Sequence, residues 1–141
     1  MGPANVESMR EIPNGVVPAL GATRLLIGAG LLIGPSGLGK ALGLTPDQAH
    51  QARWLARLTG AREIAIGLGT LQAWRRGEST SGWVAAQGIS DASDSIAFAT
   101  VALQGKVSPA KGWGMSLFAL SGAVSEAWTA YALGRQESHL S

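Results

Sequence analysis

Two tryptophans, Trp54 and Trp74, bound the stretch that most constrains the fold, WLARLTGAREIAIGLGTLQAW. At helical rise their separation corresponds to about 30 Å, the thickness of a bilayer's hydrocarbon core. Because tryptophan favours the membrane–water boundary, the pair predicts interfacial anchors at the two ends of one membrane-spanning helix. Arg62 and Glu63 lie within this stretch. Charges inside a span are costly and mark either a functional site or a structural ion pair.

The composition fits several such helices in one domain. Charged residues make up 14% of the chain, and 20 of its 141 residues are glycine, a balance typical of membrane helices. Four apolar segments are found, at Val16–Ile33, residues 54–74, Ser81–Leu103 and residues 111–133. We therefore predict an all-α fold, a four-helix transmembrane bundle with antiparallel helices and short loops. A soluble four-helix bundle is the alternative, but residues 63–73 and 95–103 lack the polar face that it needs.

The predicted domain covers residues 16–134, between a flexible N-terminal tail of residues 1–15 and a C-terminal tail of residues 135–141. Residues 38–44 are expected along the membrane interface. Thr45 and Pro46 form a helix start, from which one helix is expected to run into the 54–74 span. The protein is expected to be integral to a bacterial inner (plasma) membrane. The positive-inside count ties at four basic residues on each side, so it leaves the orientation open.

Several classes of function are excluded or disfavoured. The chain has no cysteine, and two histidines alone make no metal site, so no metal and no cofactor are predicted. Lysine and arginine are scattered, which disfavours nucleic-acid binding. The segment GPSGLGK at residues 34–40 has phosphate-loop spacing, but Ala41 stands where that motif needs Ser or Thr. Gly30 and Gly34 are instead predicted to form a GxxxG helix-packing motif.

Ionisable residues inside the predicted spans are the most informative feature. They are Arg24, Arg57, Arg62, Glu63, Asp91, Asp94 and Glu126. Each costs about 2.5–3.5 kcal/mol if it faces lipid at a helix centre, so together they must face one another or water. Counting the helical rise along antiparallel spans predicts two layers about one turn apart. Arg62, Glu63 and Asp94 share the first layer, and Arg24, Asp91 and Glu126 share the second.

The third span concentrates polar residues on one face. Gln87, Asp91 and Asp94 follow the spacing i, i+4, i+7, which places them on the same side of a helix. Two carboxylates one turn apart in a low-dielectric site repel, so one is expected to hold a proton unless an arginine intervenes. Ion pairs that only fix helix register are the alternative explanation of the whole set.

Three segments carry a resemblance to a known family. RLLIGAGLLI with the following GLGKALGL, then RWLARLTGAREIAIGLGTL, then SDASDSIAF resemble a family of small four-helix membrane proteins catalogued as a domain of unknown function. The chain is also loosely similar to DoxX-like membrane proteins. The likeness covers roughly residues 20–130. It implies a four-helix membrane fold in which the Arg-Glu and Asp-Asp elements belong together, and it transfers no catalytic residues.

The predicted function is binding of a small lipophilic molecule in a buried Arg/Asp/Glu pocket, with membrane lipid as the surroundings. If the protein is an enzyme, the chemistry available is acid/base isomerisation, cyclisation or hydration. The predicted catalytic residues are Asp94, Asp91, Glu63 and Arg62, with Asp94 as the preferred acid or base and Arg62 stabilising negative charge. The predicted substrate-binding residues are Arg24, Gln87, Glu126 and Trp83. The alternatives are a proton-coupled carrier, which would need a homodimer to enclose a path, and a non-catalytic membrane subunit or scaffold.

Overall fold

The computed structural model describes residues 12–138, and within them all regular structure is helical. Most of the predicted N-terminal tail (residues 1–11) and the end of the C-terminal tail (residues 139–141) lie outside the described residues. Six helices follow one another in this part of the chain: α1 Val16–Ile33, α2 Ser36–Leu42, α3 Pro46–Gln51, α4 Arg53–Arg76, α5 Ser81–Leu103 and α6 Pro109–Ser138. The all-α prediction is confirmed.

The helix ends have local causes in the sequence. Thr45 caps α3 through a capping box with Gln48, and Pro46 occupies the first helical position, as predicted. Gly77 ends α4 with φ +66°, a left-handed conformation that favours glycine. The predicted continuous helix from Thr45 into the 54–74 span is wrong. The chain breaks at Ala52, which separates α3 from α4.

Helices α1 and α4 form the first hairpin, whose connection contains the short helices α2 and α3. Two reciprocal glycine contacts hold α1 against α4. A methyl group on Gly28 would lie 2.7 Å from the carbonyl oxygen of Gly60, and one on Gly67 would lie 2.8 Å from that of Gly21. Both helices space their glycines seven residues apart, and the pairing runs in opposite directions, so α1 and α4 are antiparallel. The predicted Gly30–Gly34 motif is wrong within this bundle, because Gly30 is exposed and has no neighbour on that side.

This difference predicts opposite outcomes for two matched substitutions on α1. Gly28→Ala should lower the free energy of unfolding by about 1–3 kcal/mol, because the methyl group overlaps the α4 backbone. Gly30→Ala should slightly raise it, since alanine is the better helix former and space is open there. Thermal melts of the two purified variants in one detergent check this. Equal effects of the two substitutions would contradict the glycine contact.

Helices α5 and α6 form the second hairpin, which packs through small residues. A methyl group on Gly112 would lie 2.7 Å from the side chain of Ala102. The Ser116 hydroxyl donates to the Ser95 carbonyl oxygen at 2.9 Å, in the middle of the pair. Ala119 and Ala123 of α6 are also buried. Small side chains bring two helix backbones close together, and this packing is common between membrane helices.

The two hairpins meet mainly through side chains rather than close backbone contact. An apolar cluster of Val17, Val84 and Leu133 closes one end of the interior, and Ile12 packs against it. A second apolar cluster, formed by Leu42, Ala102 and Val107, closes the other end. Segment 38–44, predicted to lie along the interface, contributes Leu42 to this second cluster, with Leu38 and Leu44 packed against it.

Glu137, near the end of α6, caps the first turn of α5. Its carboxylate accepts hydrogen bonds from the backbone N–H of Thr80 at 2.8 Å and from the hydroxyls of Ser79 at 2.7 Å and Ser81 at 2.8 Å. Burial alone would raise the pKa of Glu137, but these hydrogen bonds together lower it below its ordinary value. The helix thus continues past residue 134, the predicted end of the domain, and fastens the second hairpin.

Glu137→Gln is expected to lower the thermal stability, with a loss of about 1 kcal/mol in the free energy of unfolding, typical of a lost N-terminal cap. The stabilisation by Glu137 should be complete above the ordinary glutamate pKa of about 4.3 and disappear as pH falls through the lower folded-state pKa. Melts between pH 3 and 7 measure this difference. Glu78→Gln, which changes an exposed glutamate, is the control. A wild-type advantage that persists at the acid limit would contradict the cap.

The distribution of side chains is inverted relative to a water-soluble bundle. Three of the four largest fully buried side chains are polar: Gln87, Glu63 and Thr70. Meanwhile Leu26, Ile96 and Phe118 are 76%, 69% and 73% exposed near the middle of their helices. The buried hydrophobic residues are mostly alanine. The middle of the interior is therefore polar, and the middle of the outer surface carries large apolar side chains.

By length and composition, one described helix passes the test for a membrane span. It is α1, with a mean hydropathy of 1.9 over its 18 residues. The longer helices α4, α5 and α6 do not pass, because charged residues, serine and glycine lie among their apolar ones. A soluble core helix or an N-terminal signal sequence can pass the same test. Hydropathy thus identifies one candidate span and leaves the predicted four-span bundle unconfirmed.

Candidate functional site

Arg24 is the centre of a buried polar cluster, which we call the central network. One turn on α1 separates Arg24 from Gly28, so the guanidinium leaves the helix beside the glycine contact and reaches into the gap between the hairpins. It is 7% exposed and binds residues from all three other long helices. The network comprises Arg24, Arg62, Glu63, Thr70, Gln87, Ser90, Asp91, Asp94 and Glu126.

Three carboxylates surround the Arg24 guanidinium. Its Nη1 donates to Glu63 Oε2 of α4 and to Asp91 Oδ1 of α5, both at 2.7 Å. Its Nη2 donates to Glu126 Oε1 of α6 at 2.6 Å. These distances are typical of charge-assisted hydrogen bonds, which are about twice as strong as neutral ones. One arginine therefore ties four helices together at a single level.

Arg62 forms the second half of the network and is less buried. Its guanidinium makes a two-pronged contact with Asp94 of α5, at 3.1 Å and 2.6 Å, and also donates to Glu63 Oε1 at 3.0 Å. The side chains of Arg62 and Asp94 are 33% and 28% exposed, so this pair, which we call the lateral flank, reaches the surface between α4 and α5.

Glu63 joins the two halves. It is 2% exposed, and its two oxygens bind different arginines, Oε2 to Arg24 and Oε1 to Arg62. The Ser90 hydroxyl also donates to Oε1 at 3.2 Å. The predicted Arg62–Glu63 partnership exists, with two hydrogen bonds from Arg62 to Oε1. Because Arg62 also binds Asp94 and Glu63 also binds Arg24, the two residues do not form an isolated pair.

Uncharged groups extend the network towards one end of the bundle. Gln87 is fully buried, accepts a long hydrogen bond from Arg24 Nε at 3.4 Å, and donates to Thr70 Oγ1 at 2.9 Å. Thr70 in turn donates to the carbonyl oxygen of Ile66. The chain of bonds fixes the orientation of the Gln87 amide, because each of its ends has a defined partner.

The two third-span aspartates bind different arginines. Asp91 binds Arg24, and Asp94 binds Arg62. An arginine therefore binds each aspartate. One of them was expected to hold a proton only if no arginine intervened, and that condition is not met. Instead the unpartnered atom is on Glu126, whose Oε2 is buried without a hydrogen bond among residues 12–138. This glutamate was predicted as a binding residue and not as an acid.

Of the predicted site residues, the structure brings together Arg24, Arg62, Glu63, Gln87, Asp91, Asp94 and Glu126. Trp83 is elsewhere: its ring packs over Gly69 at the α4–α5 contact. Arg57 is exposed. Ser90 was missed by sequence reasoning, although its spacing from Gln87 and Asp94 places it on the same face of α5.

A groove of about 380 Å³ lies elsewhere, at one end of the second hairpin. Its lining includes Ser81, Ala85, Ala130, Tyr131 and Arg135. None of the network residues lines it, so it is distinct from the pocket that the sequence predicts. In the network itself, the side chains bind one another.

Comparisons with known proteins return no match. No protein-family model, no curated protein and no solved structure matches this chain. The resemblance to the four-helix family of unknown function and to DoxX-like proteins stays a prediction. The function is therefore argued from the site itself.

Proposed function

We propose that the protein is a four-helix integral membrane protein whose central network binds a small lipophilic molecule and exchanges protons with it. The observation that carries the proposal is the convergence of four carboxylates on two guanidiniums inside a bundle whose outer surface is apolar. Ionisable groups that face the interior of a membrane bundle commonly mark binding sites or proton relays.

The inverted side-chain distribution supports the membrane environment. Exposed leucine, isoleucine and phenylalanine in the middle of α1, α5 and α6 would be an unusually large apolar surface in water. All five tryptophans are exposed, and the antiparallel helix order groups them at two levels: Trp54 and Trp113 at one end, and Trp74, Trp83 and Trp128 towards the other. Such a grouping is typical of interfacial belts.

The lateral flank supports access for a lipophilic ligand. Arg62 and Asp94 are the most exposed charged members of the network, and they lie between the two hairpins, where backbone packing is least close. A molecule dissolved in the bilayer would reach the network through this opening without crossing water. Asp94 and Arg62 would then contact it first, and Glu63 would hold Arg62 in place from behind.

Glu126 and Asp91 are the groups that we assign to proton exchange. Glu126 has one buried oxygen without a partner, which suits either a proton or a hydrogen-bond donor of the ligand. If the ligand is a substrate, the chemistry is proton transfer, as in isomerisation, cyclisation or hydration, with Arg62 opposite developing negative charge. The preferred acid or base thereby moves from Asp94, which is bound by Arg62 through two hydrogen bonds, to Glu126.

Photolabelling with a neutral probe, 3-(trifluoromethyl)-3-phenyldiazirine, tests the binding proposal in proteoliposomes. We expect a saturable fraction of label on α4 and α5 around Arg62 and Asp94, above a background on the outward faces that rises linearly with probe. Asp94→Asn should remove the saturable fraction, and Asp47→Asn, on α3 outside the network, should keep it. Labelling that is linear everywhere would reject binding of a neutral lipophilic molecule at the network.

A proton-coupled carrier is the second candidate, and one observation favours it. The central network is closed at one end by the cluster of Val17, Val84 and Leu133, and at the other by that of Leu42, Ala102 and Val107. A charged layer between two apolar closures suits alternating access by rocking of one hairpin against the other. Ligand-dependent acidification or alkalinisation inside proteoliposomes would support the carrier. Product formation without proton flux would support the enzyme.

A further inference from the structure

The charges of the central network do not balance. Four carboxylates, those of Glu63, Asp91, Asp94 and Glu126, face two guanidiniums, those of Arg24 and Arg62. With all groups ionised, two negative charges have no cation. The positive and negative charges are also divided unequally between the two hairpins. Both arginines belong to the first hairpin, and three of the four acids belong to the second.

The excess is concentrated on α5 and α6. Glu63 and Asp94 each have both oxygens hydrogen-bonded, whereas Glu126 Oε2 has no partner among the described residues and is buried. Asp91 binds Arg24 through Oδ1 alone, and no hydrogen bond to its Oδ2 is found in residues 12–138. The Asp91 carboxylate lies against Gly122, where a methyl group would overlap Oδ2. Glu126 is one helical turn further along α6.

An unpartnered buried carboxylate oxygen is unfavourable unless a proton or a cation neutralises it. A bare metal ion fits poorly, because no group of three or more acidic or histidine side chains in the described part of the chain is arranged to hold one. The surroundings outside the network are apolar, and Arg62 and Asp94 are its most exposed charged side chains. The cation that suits this site therefore has an apolar body and one positive charge.

We propose that the ligand is a lipophilic organic cation, such as a hydrophobic amine or phosphonium, which binds beside Asp91 and Glu126 in exchange for a proton. The inference rests on the proposed function and specifies the chemical class of its ligand. Arg24 faces the site from α1 and Glu63 from α4, while Arg62 and Asp94 lie on the side of entry. The proton leaves a carboxyl group for bulk water as the cation enters, so the charge of the site is conserved.

Tetraphenylphosphonium and tetraphenylborate test the inference, because they share shape and differ in the sign of their charge. Isothermal titration calorimetry of the purified protein in an uncharged detergent, corrected for detergent alone, should give a phosphonium Kd at least tenfold lower than the borate Kd. Buffers of different ionisation enthalpy should report about one proton released per phosphonium bound. In the range where that proton is exchanged, Kd should rise about tenfold for each unit by which pH falls.

Substitutions test whether the phosphonium binds beside Asp91 and Glu126. The double variant Asp91→Asn, Glu126→Gln should lose at least tenfold in phosphonium affinity and release no proton, whereas Glu78→Gln, an exposed acid outside the network, should bind as the wild type does. If the double variant does not fold, Glu126→Gln alone should show the same loss of affinity and of proton release, because it removes the acid whose second oxygen has no partner and can keep the hydrogen bond to Arg24.

Equal affinity for the two ions, with saturable labelling by the neutral diazirine, would overturn the charge assignment and leave the proposed function standing. Absence of saturable binding for both ions and for the diazirine would overturn the two proposals together. Phosphonium binding that the double variant retains would also reject the site, because the cation would then be held elsewhere.

Discussion

Arg24→Met is expected to lower the free energy of unfolding by on the order of 5 kcal/mol. Removing one partner of a buried ion pair costs about 3–5 kcal/mol, since it leaves a buried charge uncompensated. Here one substitution leaves three carboxylates, those of Glu63, Asp91 and Glu126, without their shared guanidinium. Methionine keeps the length and apolar volume of the arginine stem, so the loss reports on the charge. Chemical denaturation in mixed micelles measures it.

Arg57→Met is the matched control, because Arg57 is an exposed arginine on α4 that takes no part in the network. It should change the stability by less than about 0.5 kcal/mol, as most surface substitutions do. An Arg24→Met protein as stable as Arg57→Met would show that the network contributes nothing to holding the hairpins together.

Glu63→Gln should produce the second-largest loss, about 3 kcal/mol, although it reduces the excess of negative charge. Glu63 bridges both arginines with separate oxygens and also receives the Ser90 hydroxyl. A glutamine offers one acceptor oxygen in place of two, and its amide group would point its N–H donors at a guanidinium or a hydroxyl. The substitution thus leaves the donors on one side of residue 63 without an acceptor and turns N–H groups towards them.

Glu126→Gln is the informative comparison, because it removes the same charge from the same network. It should change the stability by less than about 1 kcal/mol, since the oxygen that Arg24 binds can be kept and the other has no partner to lose. Parallel melts of the two variants in one detergent give the comparison. Equal losses would mean that net charge, and not the arrangement of hydrogen bonds, governs the stability of the network.

The sequence was informative about the network because a charged side chain that faces lipid is unfavourable, so charges within the spans are expected to face one another. The two predicted layers lie close together in the structure, and Glu63 connects them through Arg24 and Arg62. Depth follows from helical rise, which is fixed by backbone geometry. The helix bounds at Val16–Ile33 and Ser81–Leu103 were predicted correctly because glycine and polar residues lie close to both ends of each segment.

Which residues contact one another across the helices was less predictable, because the rotation of each helix about its own axis depends on packing. Gly30 and Gly34 have the spacing of a packing motif, but Gly28 and Gly21 face α4. The two aspartates of α5 share a face, yet each is bound by a different arginine. The Glu137 cap could not be predicted either, since it joins residues more than fifty positions apart across two helices.

The break at Ala52 has a local origin that the apolar pattern conceals. The capping box at Thr45 fixes the direction of α3, and a separate packing contact of Ala49 with Gly39 fixes its position against α2. Helix α4 must instead align its glycines with those of α1. Different contacts therefore fix the directions of α3 and α4, and the chain turns at Ala52 between these two helices.

Collisional accessibility of a spin label tests the central claim, that an apolar outer surface encloses the network within a bilayer. The chain has no cysteine, so single cysteines at Leu26, Ile96 and Phe118 can be labelled without background. In proteoliposomes, all three labels should be readily relaxed by dissolved oxygen and shielded from a water-soluble nickel chelate. A label at Glu78, beyond the end of α4, should give the opposite result. High accessibility to the nickel chelate at the three mid-helix positions would contradict the membrane bundle and the site that is proposed within it.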